Sequence, residues 1–102
     1  MVTGVNLVVI YTDELEACRE FYTSIGLEFV PERHGSGAEH YAAVLGGGVV
    51  LELYPARSGR RVTGYLRLGL TVVGSPLAVG RHVLTDPDGR AVDVTVEVAA
   101  GG

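Results

Sequence analysis

The sequence predicts an α+β fold in which a complete βαβββ unit is followed by a shorter half made only of strands. Three observations lead to this prediction: one amphipathic helix pattern near the N-terminus, strand patterns separated by glycine- and proline-rich turns, and no helical pattern in the second half. With 102 residues, 47% of them hydrophobic and 20% charged, the chain fits one globular domain. We expect a single domain over residues 1–102, with a complete unit at 1–55 and a shortened unit at 62–98.

The first half is predicted to contain a strand, a helix and three more strands. Residues 5–11 form an apolar, β-branched run that is typical of a strand. Apolar residues then recur at helical spacing, with Asp13 and Glu16 as a capping box and Gly26 as the terminating residue. Strands are predicted at 27–30, where Pro31 stops the strand, and at 41–45 and 49–54, which form a hairpin across three glycines.

The second half shows a different pattern. Residues 65–73 and 92–98 alternate between apolar and polar positions, as half-buried strands do. Residues 77–79 and 82–84 are shorter strand candidates, and Asp86-Pro87-Asp88-Gly89 predicts a tight turn. Residues 99–102 are expected to fray.

Composition and charge exclude several classes of function. The net charge is −4, and the basic cluster of Arg57, Arg60 and Arg61 carries no interleaved aromatic residues, so we expect a solvated loop there and no nucleic-acid partner. Cys18 is the only cysteine, which excludes an internal disulfide. The sequence has no signal-peptide pattern and no apolar run long enough to cross a bilayer, so we expect a cytoplasmic protein without a membrane partner.

Three stretches carry a resemblance to a known family: VNLVVIYTDELEACREFYTSIGLEF at 5–29, VVLELYP at 49–55 and DPDGRAVDV at 86–94. In this order they resemble the vicinal-oxygen-chelate superfamily of glyoxalases, bleomycin-resistance proteins and dioxygenases. The resemblance implies paired βαβββ modules that form a curled mixed sheet around a shared cavity. Here the second module lacks its helix, because only residues 74–85 separate its first strand from the turn.

The resemblance also implies metal-ligand positions, which fall at Leu7, Glu52, Tyr65 and Asp93. A catalytic divalent metal needs about three protein ligands and an open position. Leu7 cannot bind a metal, and tyrosine is an uncommon ligand, so we expect no metal cofactor, although Glu52 and Asp93 could hold a divalent metal weakly. The three histidines lie in predicted loops or at strand ends, and we expect them on the surface: His34, His40 and His82.

The expected ligand site combines tyrosines with carboxylates. Tyrosine offers a flat apolar face and a hydroxyl group, which suits an aromatic guest. If Glu52 and Asp93 face each other in a partly enclosed cavity, like charge and burial would raise at least one pKa, unless Arg67 neutralises one of them. The parity of Tyr41 is not settled by the sequence. The predicted binding residues are Leu7, Val9, Tyr11, Glu52, Tyr54, Tyr65, Arg67 and Asp93.

Three functions remain open at this point. The first is a metal-independent binding protein that sequesters an aromatic or cationic small molecule. The second is a small enzyme of the same superfamily: a metal-dependent lyase or dioxygenase, or a metal-free isomerase or cyclase that uses Glu52 or Asp93 as the base. The third is a trimmed domain whose role is assembly.

The missing helix also predicts an oligomeric state. Leu66, Leu68, Leu70 and Val72, with the valine stripe of the last strand, would have nothing in the chain to cover them. Each buried Leu or Val side chain contributes on the order of 1.5–3 kcal/mol. We therefore expect a homodimer that buries this face.

Overall fold

The structure, a computed structural model, describes residues 1–57 and 61–99. The predicted basic loop and the predicted frayed terminus lie partly outside this range, at residues 58–60 and 100–102. Within the described residues the chain forms one α-helix, one short 3₁₀ turn and seven strands. In chain order these are β1 (Leu7–Thr12), α1 (Leu15–Ile25), β2 (Val30–Glu32), β3 (His40–Val44), the 3₁₀ turn (Gly46–Gly48), β4 (Val50–Pro55), β5 (Arg67–Val73), β6 (Gly80–Thr85) and β7 (Ala91–Glu97).

The strands form two mixed sheets. The first sheet has the order β1-β4-β3-β2, and the second has the order β5-β7-β6. In each sheet the first strand of that half of the chain pairs in parallel with the last one, and the remaining pairs are antiparallel. The α+β class is confirmed, and among the described residues the second half has no helix.

Helix α1 begins differently from the prediction. The predicted capping box of Asp13 and Glu16 is wrong: Glu14 occupies the N-cap position, and no side chain of the N-cap residue bonds to the helix. Thr12, buried at the end of β1, accepts the backbone N–H of Glu14 at 2.9 Å instead. Glu16 pairs with Arg19 on the exposed surface of the helix. The hydroxyl of a strand residue therefore orients the start of the helix.

Helix α1 ends as predicted, at Gly26. This glycine has φ of 136°, and its N–H bonds to the carbonyls of Tyr22 and Thr23. A Cβ atom at this position would lie 2.9 Å from Cγ1 of Val72 on β5. The residue is thus required by its positive φ and by close packing against the second sheet.

Two short strand predictions are wrong. Of the strand predicted at 27–30 only Val30 is in a strand: Leu27 is buried in the core, and β2 covers Val30–Glu32 and so includes Pro31. Proline is tolerated there because β2 is an edge strand of the first sheet. Residues 77–79 are not a strand either, whereas the 82–84 candidate lies within β6. The turn before β7 is confirmed by the bond from the N–H of Gly89 to the carbonyl of Asp86 at 2.9 Å.

One hydrophobic core joins α1 to both sheets. The helix residues Cys18, Tyr22 and Ile25 share it with residues of β1, β3 and β4 and with three valines of β7. Those valines are fully or almost fully buried: Val92, Val94 and Val96. The half-buried apolar residues of the second half pack against the same core: Leu66, Leu68, Leu70, Val72, Leu77 and Leu84. The expectation that nothing in the chain covers the second sheet is therefore wrong for these valines of β7, whereas Leu68, Leu70 and Val72 of β5 are half-buried and line an open cavity of about 650 Å³.

A buried ion cluster ties the two halves together. The guanidinium of Arg90 is 1% exposed and pairs with Asp86 at 2.8 Å and Asp88 at 2.9 Å. It also donates to the backbone carbonyls of Thr63 and Tyr11. Burial alone would raise the pKa of Asp86, but its hydrogen bonds outweigh burial and lower that pKa. This cluster fixes the β6–β7 turn against the end of β1.

The described residues contain no helix that is both long and apolar enough to span a membrane.

Candidate functional site

The candidate site lies on the face of the first sheet that points away from α1. On β1 and β4, Val9 pairs with Glu52 and Tyr11 pairs with Tyr54, which places these four side chains on one face. They line a half-open cavity of about 300 Å³, here called the sheet-face pocket. Its lining is Val9, Tyr11, His34, Gly37, Ala38, His40, Glu52 and Tyr54.

The other four predicted binding residues lie outside this pocket. Leu7 is on β1, two residues before Val9, and is half exposed. Tyr65 precedes β5 and is 87% exposed. Arg67 and Asp93 belong to the second sheet and line a separate cavity of about 390 Å³.

Asp93 is held by arginines. Arg81 binds both of its carboxylate oxygens, at 2.9 and 2.5 Å, and Arg67 lies 3.6 Å away. The hydrogen bond from Arg81 is the main cause that lowers the pKa of Asp93. The expectation that a facing Glu52 would raise the pKa of Asp93 is therefore wrong. An ionised carboxylate that is paired with two arginines is a weak base. The sequence named Arg67 as a partner of Asp93 but gave no sign of Arg81. Arg81 lies on β6, opposite Thr95 of β7.

His40 is the main residue that sequence reasoning missed. It was expected on the surface, but its side chain is 1% exposed. Its ring stacks on Tyr54, with centroids 3.9 Å apart and an angle of 11° between the planes. Its Nε2 lies 3.3 Å from Glu52 Oε2 and 3.2 Å from Glu32 Oε1, while its Nδ1 is 3.1 Å from the carbonyl oxygen of Ala38.

The register of β3 explains this position. Tyr41 pairs with Leu53 and Ala42 pairs with Glu52, so His40 continues the row that contains Glu52 and Tyr54. Tyr41 therefore lies on the opposite face, where its hydroxyl donates to Glu16 of the helix. A firm hairpin register would have identified His40, but the glycines between β3 and β4 leave that register open in the sequence.

His34 and Glu32 complete a group of donor atoms beside His40. Glu32 is on β2 and pairs with His40 of β3, and His34 lies in the loop that follows β2. His34 is 75% exposed, and its Nε2 lies 3.7 Å from Glu32 Oε1. One donor atom from each of four residues lies within 4.8 Å of the others: Glu32, His34, His40 and Glu52. His34 is exposed, as expected, but the sequence did not indicate that it lines the sheet-face pocket.

No protein-family model matches the sequence, and no curated protein matches it. Solved structures do match over nearly its whole length. The oxidase ChaP-H2 aligns with a TM-score of 0.63 at 15% identity, with 100% of both chains covered. A lactoylglutathione lyase from Agrobacterium tumefaciens aligns with a TM-score of 0.58 at 18% identity, covering 94% of this chain and 95% of that one. This chain has the glyoxalase/bleomycin-resistance fold.

A third match with this fold is TnmS3, an antibiotic binding protein from Streptomyces sp. CB03234. It aligns with a TM-score of 0.57 at 14% identity, covering 93% of this chain and 96% of that one. The resemblance that the three sequence stretches carry is thus confirmed at the level of fold. Proteins named as an oxidase, a lyase and a binding protein share the glyoxalase/bleomycin-resistance fold, so function has to be argued from the site.

The metal positions that the glyoxalase/bleomycin-resistance fold implies do not fit a metal in this chain. Glu52 lines the sheet-face pocket, whereas Asp93 lines the cavity of the second sheet and is engaged by arginines. Leu7 has no donor atom, and Tyr65 is exposed outside both cavities. Donor chemistry suited to a cation is found instead in the group formed by β2, its following loop, β3 and β4.

Proposed function

We propose that this protein binds a small molecule with a planar aromatic part in the sheet-face pocket. The observation that carries the proposal is the convergence of Tyr11, Tyr54, His40 and Glu52 on one half-open cavity. Its volume of about 300 Å³ is at the lower end of the range for ligand sites. A planar guest of two or three fused rings suits that size.

The aromatic wall of the pocket supports this ligand class. Tyr54 lies between His40, on which it stacks, and Tyr11, whose ring centroid is 5.8 Å away at a tilt of 45°. Because these rings pack against one another, the aromatic wall is already formed before a ligand arrives. A preformed surface reduces the entropy lost on binding.

The charge of the pocket supports a cationic group on the ligand. Glu52 and Glu32 both have oxygens near His40, and their side chains are 15% and 37% exposed. A cation over a tyrosine face is favoured by the ring quadrupole, and more so beside a carboxylate. TnmS3, an antibiotic binding protein, has the same fold, which is consistent with a binding role here.

The test is titration with proflavine, a planar aromatic cation, in the presence of a chelator. Glu52→Gln is expected to weaken binding about tenfold, since loss of one charged contact corresponds to about 1.4 kcal/mol. Tyr54→Leu should weaken it further, while Glu97→Gln, an exposed carboxylate on β7, serves as the matched control. Equal affinities in all four proteins would refute the proposal, as would tighter binding of the planar anion anilinonaphthalene sulfonate.

Catalysis is a second candidate, favoured by the contact of 3.3 Å between Glu52 and His40. A carboxylate beside an imidazole can act as a general base on a bound substrate. The same Glu52→Gln variant separates the two functions once a substrate is found. A binding protein loses modest affinity, whereas an enzyme loses turnover by orders of magnitude.

The homodimer stays a prediction, and its original reason still applies to the half-buried apolar row of β5 but no longer to the buried valines of β7. The valines of β7 are covered by α1 within the chain. The exposed Val44 and Val73 line one open cavity of about 650 Å³, together with Leu68, Leu70 and Val72 of β5. Sedimentation equilibrium at micromolar concentration decides the matter, and a monomer would end the dimer prediction.

A further inference from the structure

The four donors beside the sheet-face pocket have the arrangement of a metal site. We propose that Glu32, His34, His40 and Glu52 bind one divalent first-row transition metal ion, with Zn²⁺ as the reference case. Two imidazole nitrogens and two carboxylate oxygens form a donor set that such ions accept. Only Glu52 coincides with a position that the sequence resemblance implied, and the other three donors come from β2, the loop after it and β3.

The spacing of the donors matches tetrahedral coordination. Bonds of about 2.0–2.1 Å to zinc place neighbouring donors of a tetrahedron roughly 3.3 Å apart. His40 Nε2 lies 3.3 Å from Glu52 Oε2 and 3.2 Å from Glu32 Oε1. The distance from His34 Nε2 to Glu32 Oε1 is 3.7 Å, on the side that faces solvent. Three of the donor pairs are therefore close to tetrahedral spacing, and the remaining pairs lie within 4.8 Å.

The hydrogen bonding of His40 points to a cation at its Nε2. Its Nδ1 lies 3.1 Å from the carbonyl oxygen of Ala38, and a carbonyl only accepts, so Nδ1 carries a proton. In the neutral ring Nε2 then presents a lone pair toward two carboxylates. That arrangement requires a proton or a metal ion between them. A histidine that donates its other N–H to a backbone carbonyl is the usual orientation of a metal ligand.

The charge balance points the same way. Among the described residues, neither Glu32 nor Glu52 forms an ion pair with an arginine, and their charged contacts are to histidines. Asp93 on the other sheet is instead held by two arginines. A divalent cation between these two carboxylates would neutralise their charge and leave the imidazole nitrogens as neutral ligands.

A bound metal would also change the ligand class of the pocket, a consequence that rests on the proposed function. With the carboxylates bound to the metal, an organic cation loses its partners. A planar compound with an oxygen donor would instead reach the metal by displacing one protein ligand, for which His34, 75% exposed, is best placed. Zn²⁺ should therefore compete with proflavine in the wild-type protein.

The first experiment is calorimetric titration of chelator-stripped protein with Zn²⁺, with Mg²⁺ as the hard-ion comparison. We expect one Zn²⁺ per chain with a micromolar or lower Kd, and no binding of Mg²⁺ in that range. His34→Gln should weaken Zn²⁺ binding about tenfold or more, and His40→Gln should abolish it. His82→Gln is the matched control, because His82 lies on β6 and contacts the carbonyl of Ala78.

Co²⁺ gives a second measurement that reports on the ligands directly. Tetrahedral Co²⁺ absorbs visible light much more strongly than hydrated Co²⁺, so the wild-type protein should develop this band at one equivalent and the His34→Gln protein should not. Because His34 is exposed, its substitution should leave the fold intact, which circular dichroism checks. The proposal is overturned if wild-type protein binds neither Zn²⁺ nor Co²⁺ below millimolar concentration. It is also overturned if the His34→Gln and His82→Gln proteins bind Zn²⁺ with equal affinity.

Failure of the metal site can be told apart from failure of the proposed function. Proflavine binding is measured in chelator and does not need the metal. Proflavine binding without Zn²⁺ binding refutes the metal site alone, and the reverse result refutes only the organic ligand.

Discussion

Substitution of Arg90 by methionine tests whether the buried ion cluster holds the two halves of the chain together. The guanidinium is 1% exposed, and it pairs with the fully buried carboxylate of Asp86. Methionine fills much of the volume but leaves that carboxylate without its cation and the carbonyl of Thr63 without the guanidinium donor, while the carbonyl of Tyr11 keeps the N–H of Thr63. Removing one partner of a buried ion pair costs about 3–5 kcal/mol. A domain of this size has a total stability of roughly 5–15 kcal/mol, so the loss would take a large part of it.

The assay is urea unfolding followed by far-ultraviolet circular dichroism, with Arg81→Met as the matched control. Arg81 also binds an aspartate through two nitrogens, but its side chain is 61% exposed, so we expect its substitution to change the urea midpoint little. If Arg90→Met is too unstable to purify, the double variant with Asp86→Asn removes the unpaired charge and should recover part of the stability. Equal losses in the two single variants would refute the argument that burial decides the contribution of each arginine.

Two further predictions follow from the same packing. Because the folded state lowers the pKa of Asp86, this group stabilises the protein above its unfolded pKa of about 3.9, and that contribution is lost as pH falls through the folded value. Urea midpoints should therefore fall as the pH drops below about 4, and they should fall less steeply with pH in Asp86→Asn. The same dependence of the midpoint on pH in both proteins would contradict this. Gly26→Ala should cost roughly 1–3 kcal/mol, from its positive φ and its close approach to Val72. Gly46→Ala, which meets open space and has no positive φ, should change the urea midpoint little, and equal effects of the two would count against the strain argument.

Local patterns in the sequence were sufficient for most of the fold. The apolar stripe that contains Cys18, Tyr22 and Ile25 identifies α1, and alternation along β5 and β7 assigns each residue to its face. These patterns report which side of an element is buried, but not which other element covers it. The packing of α1 against β7 depends on tertiary geometry, so the valines of β7 were wrongly expected to be uncovered.

The site was predictable only where strand register was fixed. Val9, Tyr11, Glu52 and Tyr54 share a face because β1 and β4 are each regular over six residues. His40 opens β3, whose register depends on the turn at Gly46–Gly48, and a slip of one residue would send it to the other face. No periodicity marks a histidine at the first position of a strand.

The position of the site also bears on the shortened second half. All residues of the sheet-face pocket fall between residues 9 and 54, on the first sheet and the β2–β3 loop. The second sheet contributes none of them; it buries α1 from the other side and supplies Arg90, which bonds to the carbonyl of Tyr11 at the end of β1. A chain that keeps its donors and aromatic rings in one half can lose a helix from the other half without losing the site, provided that α1 stays covered. The packing of α1 against the valines of β7 therefore explains how a second half without a helix can still support the pocket of the first sheet.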